Sequence, residues 1–200
     1  MSETITTQNQ KTKFDVNRDY LVGNNFLSTT ECDQILADAA EFDLKPATLA
    51  DDRIVTAIRD CKVAYFDRDQ KWGWIYDRIQ DFITLGNERY FQFDIIGFEP
   101  MQFVVYDRPG SHYELHIDSG NEYRDRDLVR KLSFTIQLTN PEEYQGCDLE
   151  FFRSVNDYIA AARSKGTITV TSSFVPHRVT PLESGVRAAI VGWIYGPPFR

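Results

Sequence analysis

Two hydrophobic rhythms divide this chain. In the first half, apolar residues recur at three- and four-residue spacings: Cys32, Ile35, Leu36, Ala39 and Phe42, then Trp72, Ile75, Ile79, Phe82 and Ile83. Each set forms one stripe along a helix. Ser28-Thr29-Thr30-Glu31 matches a capping box ahead of the first stripe, and Gly86-Asn87 ends the second, which predicts a helix over 71–85. A short strand is expected near Asp19-Tyr20-Leu21-Val22. The stretch 43–70 is less regular, with short strands expected around Ile54 to Ile58 and Lys62 to Phe66. From Tyr90 onward the period becomes two. Strands are predicted at 91–97, 101–107, 112–118, 131–138, 147–152, 166–172, 175–180 and 186–195, between Gly, Pro and Asn punctuation.

Two helices followed by many short strands define a mainly β, α+β chain, with sheets buttressed by helices rather than an alternating βαβ order. Eight short strands fit a jelly roll, whose two sheets enclose a pocket. In Ser133-Phe134-Thr135-Ile136-Gln137-Leu138 the polar residues share one face; Thr167, Thr169 and Thr171 alternate with Ile168 and Val170 in the same way. A surface sheet shows this pattern with its polar side in water. A two-sheet sandwich shows it when a polar pocket lies inside and helices cover the apolar back. The helical stripes favour the second arrangement, because they need a sheet face to cover. Residues 1–12 read as a polar, disordered tail. Residues 13–200 then form one domain, with helical support over 28–90 and the jelly-roll core over 91–200.

Composition narrows the function. Thirty acids against 22 bases give a formal net charge of −8, which disfavours broad electrostatic binding to nucleic acid. The three cysteines Cys32, Cys61 and Cys147 are scattered, odd in number and form no CxxC pair, so the expectation is buried thiols in a reducing cytoplasm. The N-terminus has no apolar core of a signal peptide, and no segment reaches the roughly 20 apolar residues of a membrane span. A soluble, cytoplasmic protein is expected, as a monomer or a homodimer.

The candidate chemistry rests on His116-Ile117-Asp118, with His177 and Arg187 far downstream. Alternate residues of a strand share a face, so His116 and Asp118 can address one ion. Two imidazoles and a carboxylate with open positions form the facial triad of non-haem Fe(II) oxygenases. Taken alone, H-x-D is common and marks a surface strand, and His177 beside Pro176 suits a structural histidine. His112 shares the parity of His116 and is a rival ligand, a partner orienting a ligand, or an exposed residue. Arg187 lies in an otherwise apolar strand, where a guanidinium needs a carboxylate. That carboxylate belongs either to one of the chain's own acids or to a bound cosubstrate held by a forked pair of hydrogen bonds.

The motifs in order resemble the prolyl 4-hydroxylase-like family of Fe(II)/2-oxoglutarate dioxygenases. They run from Tyr106-Asp107-Arg108-Pro109-Gly110-Ser111-His112-Tyr113 and His116-Ile117-Asp118, through Lys131 to Leu138 and Tyr144-Gln145-Gly146-Cys147-Asp148-Leu149-Glu150-Phe151. They close with Pro176-His177-Arg178-Val179-Thr180-Pro181 and Gly185-Val186-Arg187. Asn25-Phe26-Leu27-Ser28 with Glu31-Cys32 is similar to the family's entry into its first helix. The resemblance implies a cupin-like double-stranded β-helix, with iron held by His116, Asp118 and His177. It implies that Arg187 binds the far carboxylate of 2-oxoglutarate, that Tyr106 contacts the cosubstrate, and that Gln137 and Leu149 line the pocket. Tyr113 matches an aromatic position near the substrate. Cys147 departs from the family, which usually has a second glycine there.

The implied reaction hydroxylates an unactivated C–H bond, using O₂ and converting 2-oxoglutarate to succinate and CO₂, with ascorbate as a stimulant. Asp118 favours hydroxylation, because related halogenases lack the carboxylate. Peptidyl proline leads as the substrate by resemblance alone; a free amino acid or small molecule is the alternative. Arg124 and Arg126, in the charged loop 119–130 after the ligand pair, are candidate substrate contacts on a lid. A cupin-like metal protein doing non-oxidative chemistry is the rival reading, but it has no need of Arg187.

Overall fold

The helix start written in the sequence is the one the chain adopts. In a computed structural model that describes residues 2–7, 10–16, 20–49, 53–119 and 127–199, the Ser28 backbone N–H donates to Glu31 Oε2 at 2.8 Å. The Glu31 N–H returns to Ser28 Oγ at 3.2 Å. This reciprocal box opens α1 (Thr29–Asp38), and a 3₁₀ turn then carries the chain on to Phe42. Before α2 (Gly73–Gly86), Asp69 Oδ1 accepts from the backbone N–H groups of Lys71 and Trp72, fixing the turn that aims the helix.

The second helix does not stop at Gly86-Asn87, as its sequence signal suggested. It runs on through a wider turn, Asn87–Phe91, and leaves at Gln92 in the left-handed region (φ 55°). Gly86 is buried inside the helix, so it serves packing rather than a cap. The Asn87 amide reaches across this turn to both backbone groups of Phe93, accepting at 3.0 Å and donating at 2.9 Å. Those groups are thereby taken from any ladder. The strand expected at 91–97 shrinks to β7 (Gly97–Phe98).

The remaining strands are β1 (Ser2–Thr7), β2 (Gln10–Val16), β3 (Tyr20–Asn24), β4 (Lys45–Pro46), β5 (Arg59–Asp60), β6 (Lys62–Phe66), β8 (Met101–Tyr106), β9 (His112–His116) and β10 (Val129–Gln137). They continue with β11 (Tyr144–Gly146), β12 (Leu149–Ser154), β13 (Asp157–Ala160), β14 (Ile168–Ser172), β15 (His177–Val179), β16 (Leu182–Gly185) and β17 (Arg187–Gly196). A large sheet has the order β1-β2-β3-β14-β10-β17-β8-β6-β4, with β7 beside β17. A smaller one has the order β13-β12-β15-β9-β5, and β11 pairs with β16.

Three expectations change here. The segment Ile54 to Ile58 is turn rather than strand, and its pairing begins at Arg59. The strand predicted from 147 starts at Leu149, because Gly146 and Cys147 both take positive φ (68° and 55°). The segment 1–12, read as a tail, carries β1 and the start of β2, paired antiparallel at the edge of the large sheet.

The large sheet is amphipathic in the sense that its helices required. Leu132, Phe134 and Ile136 of β10, Ile168 and Val170 of β14, and Ala188, Ile190 and Ile194 of β17 form one core with Cys32, Ile35, Trp72, Ile75, Ile79, Phe82 and Ile83 from the helices. The alternate positions face the small sheet, where Tyr20, Val22, Val63, Val104, Tyr106, Leu149, Phe151 and Val179 form a second core. Two sheets face each other, helices back one of them, and the space between the sheets is polar at one end. Among the described residues, no helix is long and apolar enough to cross a membrane.

Candidate metal centre

Strand pairing brings the candidate ligands together. His116 on β9 and His177 on β15 are Cα partners in an antiparallel ladder, with ring centroids 4.3 Å apart. Asp118 lies just past the end of β9, where its backbone N–H donates to Ser173 O at 2.9 Å. His116 Nε2 is 3.6 Å from Asp118 Oδ1, and His177 Nε2 is 3.4 Å from Asp118 Oδ2. The three candidate ligand atoms lie within 4.8 Å of one another.

The donor chemistry fits a metal ion. His116 Nδ1 faces Glu114 O at 2.7 Å, and His177 Nδ1 faces Val175 O at 2.9 Å. A carbonyl only accepts, so each Nδ1 carries a proton, and Nε2 is the nitrogen of each ring turned to the common point. Burial pushes the Asp118 carboxyl up, but the two imidazoles and the Ser133 hydroxyl outweigh it and hold the group well below the usual carboxylate range. For His177, burial lowers the pKa more than Asp118 raises it. An ionised carboxylate beside a neutral imidazole is the state that metal ligation needs. Donors about 2.1 Å from one ion at right angles are about 3 Å apart, so small movements would close this set onto a metal.

His112 is not part of the set. It sits at the other end of β9 opposite Asp60, with its ring nitrogens facing Gly110 O and Ala57 O. A cavity of about 550 Å³, its open mouth included, adjoins the three ligands. Tyr106, Tyr113 and Leu149 line it, together with Ser133, Thr135, Thr169, Thr171 and Trp193 of the polar sheet face. Tyr113 stacks on the His116 imidazole with centroids 3.6 Å apart.

Arg187 stands just behind this wall. It is 2% exposed and is the Cα partner of Tyr106 across the β17–β8 ladder, with its guanidinium carbon 5.4 Å over the Tyr106 ring. Its Nε donates to Gln137 Oε1 at 3.1 Å, which places Gln137 beside the guanidinium rather than on the cavity surface. The Cys147 thiol also contacts it. Among the described residues, no carboxylate lies within ion-pair distance of Arg187, so the internal salt bridge that the sequence left open is not formed. Arg124 and Arg126 lie outside the described residues, as does most of the loop they belong to.

Ser133 and Arg59 are polar cavity residues that the sequence did not single out. Ser133 belongs to the alternating polar face that was legible; its Oγ lies 2.9 Å from Ser173 Oγ, and its hydroxyl helps to lower the Asp118 pKa. Arg59 falls in the irregular stretch, yet it shares strand parity with the inward-facing Cys61 and Val63.

Two facing sheets with a two-histidine, one-carboxylate set at the mouth define the class of the metal-dependent double-stranded β-helix proteins. The sequence profile of the 2OG-Fe(II) oxygenase superfamily matches residues 101–195. A PKHD-type hydroxylase of Hyphomonas neptunium is 40% identical over 86 residues, which cover 42% of this chain and 38% of that protein. The crystal structure of a Pseudomonas putida prolyl-4-hydroxylase superposes with a TM-score of 0.69 at 23% identity, covering 88% of this chain and 91% of that one. A Trichoplax adhaerens prolyl hydroxylase, in complex with a peptide fragment of the hypoxia inducible factor oxygen degradation domain, gives 0.75 at 23%, covering 90% and 84%. At such identity the two structures speak for the fold. Residues 101–195 are thus similar in sequence to the 2OG-Fe(II) oxygenase superfamily, and the fold is the one seen in the prolyl hydroxylases. The chain spans about two fifths of the length of the curated relatives it matches.

Proposed function

We propose that this protein is an Fe(II)- and 2-oxoglutarate-dependent hydroxylase of an unactivated C–H bond, with a prolyl residue of a peptide or protein as its substrate. The observation that carries the reading is a buried Arg187 with no carboxylate partner among the described residues, behind a cavity with the His116, Asp118 and His177 set at its mouth. A permanent charge so placed is costly until an anion meets it. The far carboxylate of a 2-oxo diacid has the planar shape that a guanidinium fork takes.

In this reading His116, Asp118 and His177 would hold the metal beside the cavity. Bound Fe(II), with 2-oxoglutarate and O₂, supplies the oxidising power for C–H hydroxylation, and 2-oxoglutarate leaves as succinate and CO₂. Ser133 holds Asp118 in line, and the Glu114 and Val175 carbonyls hold the imidazoles. Arg187 anchors the cosubstrate, Gln137 orients the guanidinium, and Tyr106 and Leu149 pack along the bound acid. Tyr113 walls the substrate side. The largely apolar cavity wall of Val104, Leu149, Phe151, Val179 and Val191 excludes water from the reacting centre. The resemblance to prolyl hydroxylases, one of them in complex with a peptide, supports the peptidyl substrate. A non-oxidative metal protein would leave Arg187 without a counter-charge.

Anaerobic addition of Fe(II) and then 2-oxoglutarate tests the cosubstrate. A weak visible charge-transfer band is expected, and its absence from well-folded protein would end the proposal. Mass spectrometry of proline-containing peptides and free amino acids, after aerobic incubation, tests the substrate through a product heavier by one oxygen atom.

A further inference from the structure

A second guanidinium, unlike Arg187, lines the cavity itself, from the opposite sheet. Arg59 on β5 is the Cα partner of Tyr113, and its Cζ lies 4.7 Å from the centre of the Tyr113 ring, which in turn stacks on His116. The cation and a candidate metal ligand thus share one ring, Tyr113, as neighbour, and the cation lines the cavity wall. Its Nη2 donates to Gln102 Oε1 at 2.8 Å, and Nη1 donates more weakly to Thr48 O at 3.3 Å. Its Nε is sealed from solvent and has no hydrogen-bond partner; the Trp193 indole Nε1, on the same cavity, is in the same state.

The partners that Arg59 does have are neutral. Gln102 and Thr48 contribute dipoles, and burial holds the neighbouring Cys61 as a thiol. Among the described residues, no carboxylate lies within ion-pair distance of Arg59. A water would satisfy the Nε–H but not the charge. A carboxylate would satisfy both, edge-on to a planar group already braced on Tyr113 and Gln102. The cosubstrate does not fill this role, because its far carboxylate has Arg187 and its other end faces the metal.

We infer that Arg59 is a specificity-determining residue that binds a carboxylate of the primary substrate. This rests on the function proposed above, and it narrows the substrate to an acid: either a free amino acid held by its own carboxylate, or a peptide held by an acidic side chain.

The test uses the full chain loaded with Zn(II), which is diamagnetic and inert to O₂, with and without 2-oxoglutarate. Two sets of paired probes are titrated calorimetrically: N-acetyl amino acids against their amides, and proline peptides bearing glutamate against the same peptides bearing glutamine. The arginine Nε–H resonances are followed by NMR in parallel. The expected result is a preference of about ten-fold or more for the acid of at least one pair, with a shift of the Arg59 Nε–H signal. Arg59→Gln should abolish that preference, and Arg59→Lys should keep only part of it. A preference confined to the first set assigns a free acid, and one confined to the second assigns an acidic peptide. Absence of any acid–amide difference overturns the inference, as does a difference that survives in folded Arg59→Gln. An equal loss of 2-oxoglutarate affinity in Arg59→Gln and Arg187→Gln also overturns it, since Arg59 would then belong to the cosubstrate. Failure of 2-oxoglutarate to bind the wild type sinks the function proposal separately, because the acid–amide pairs are also measured without it.

Discussion

His116 and His177 are Cα partners across the β9–β15 ladder. One register therefore sets the candidate metal site, because a slip by one residue would turn either imidazole to the other face of the sheet. Asp118 is not in that ladder. Its backbone N–H donates to Ser173 O, and the Ser133 hydroxyl on the opposite sheet, itself paired with the Ser173 hydroxyl, helps to keep its carboxyl ionised.

Ser133→Ala should therefore weaken metal affinity without touching a ligand. Loss of a polar group that supports a metal ligand typically costs about 10–100-fold in affinity. Mn(II) titration followed by electron paramagnetic resonance measures it, with circular dichroism confirming the fold.

Arg187→Lys keeps the charge and loses the fork. An apparent 2-oxoglutarate affinity weaker by about ten-fold or more is expected, with turnover at saturating cosubstrate much less affected. Steady-state oxygen consumption against 2-oxoglutarate concentration separates the two. An unchanged requirement would show that another residue anchors the acid.

Gly166 joins the helical entry to the sheet at positive φ (79°), and a Cβ there would fall 2.0 Å from the Leu27 carbonyl oxygen. That oxygen belongs to the residue whose N–H donates to Gly166 O at 2.9 Å. Gly166→Ala combines backbone strain with a clash that flexible side chains cannot absorb. A loss of about 2–3 kcal/mol is expected, read from urea unfolding.

The parts of this site carried by strand parity and spacing were visible in the chain. His116 and Asp118 sit two apart, Ser133 and Thr135 of the polar alternation face the cavity, and the helical stripes cover the sheet's apolar back. Arg59 was not visible, because it reaches the cavity through a two-residue strand paired with β9, a contact that leaves no periodic trace in the sequence. The Gly86-Asn87 signal misled for a local reason: Asn87 spends its side chain on Phe93, and the helix continues past it. β13 was missed because Asn156 turns the hairpin at positive φ (63°) without a glycine.

The buried thiols set a high-pH limit. Cys32 is fully buried, and its pKa is pushed up by burial to about 11, while that of an unfolded thiol is about 8.5. The folded state holds the proton more tightly, so this contribution to stability is complete below about pH 8.5 and is lost as pH rises through about 11. Burial also raises Cys61 and Cys147. Urea midpoints should fall across that window, and iodoacetamide should label none of the three thiols in native protein at pH 8.

The central strands β10, β14 and β17 present alternate residues to two different interiors. A saturation-mutagenesis profile along them should beat in two-time. Ala188, Ile190 and Ile194 would register as losses of soluble protein, while Arg187, Val191 and Trp193 would register as losses of turnover in protein that still accumulates. The single sheet would then act as a partition between heritable stability and heritable specificity, leaving the cavity side free to drift toward new acids while the helical side stays fixed.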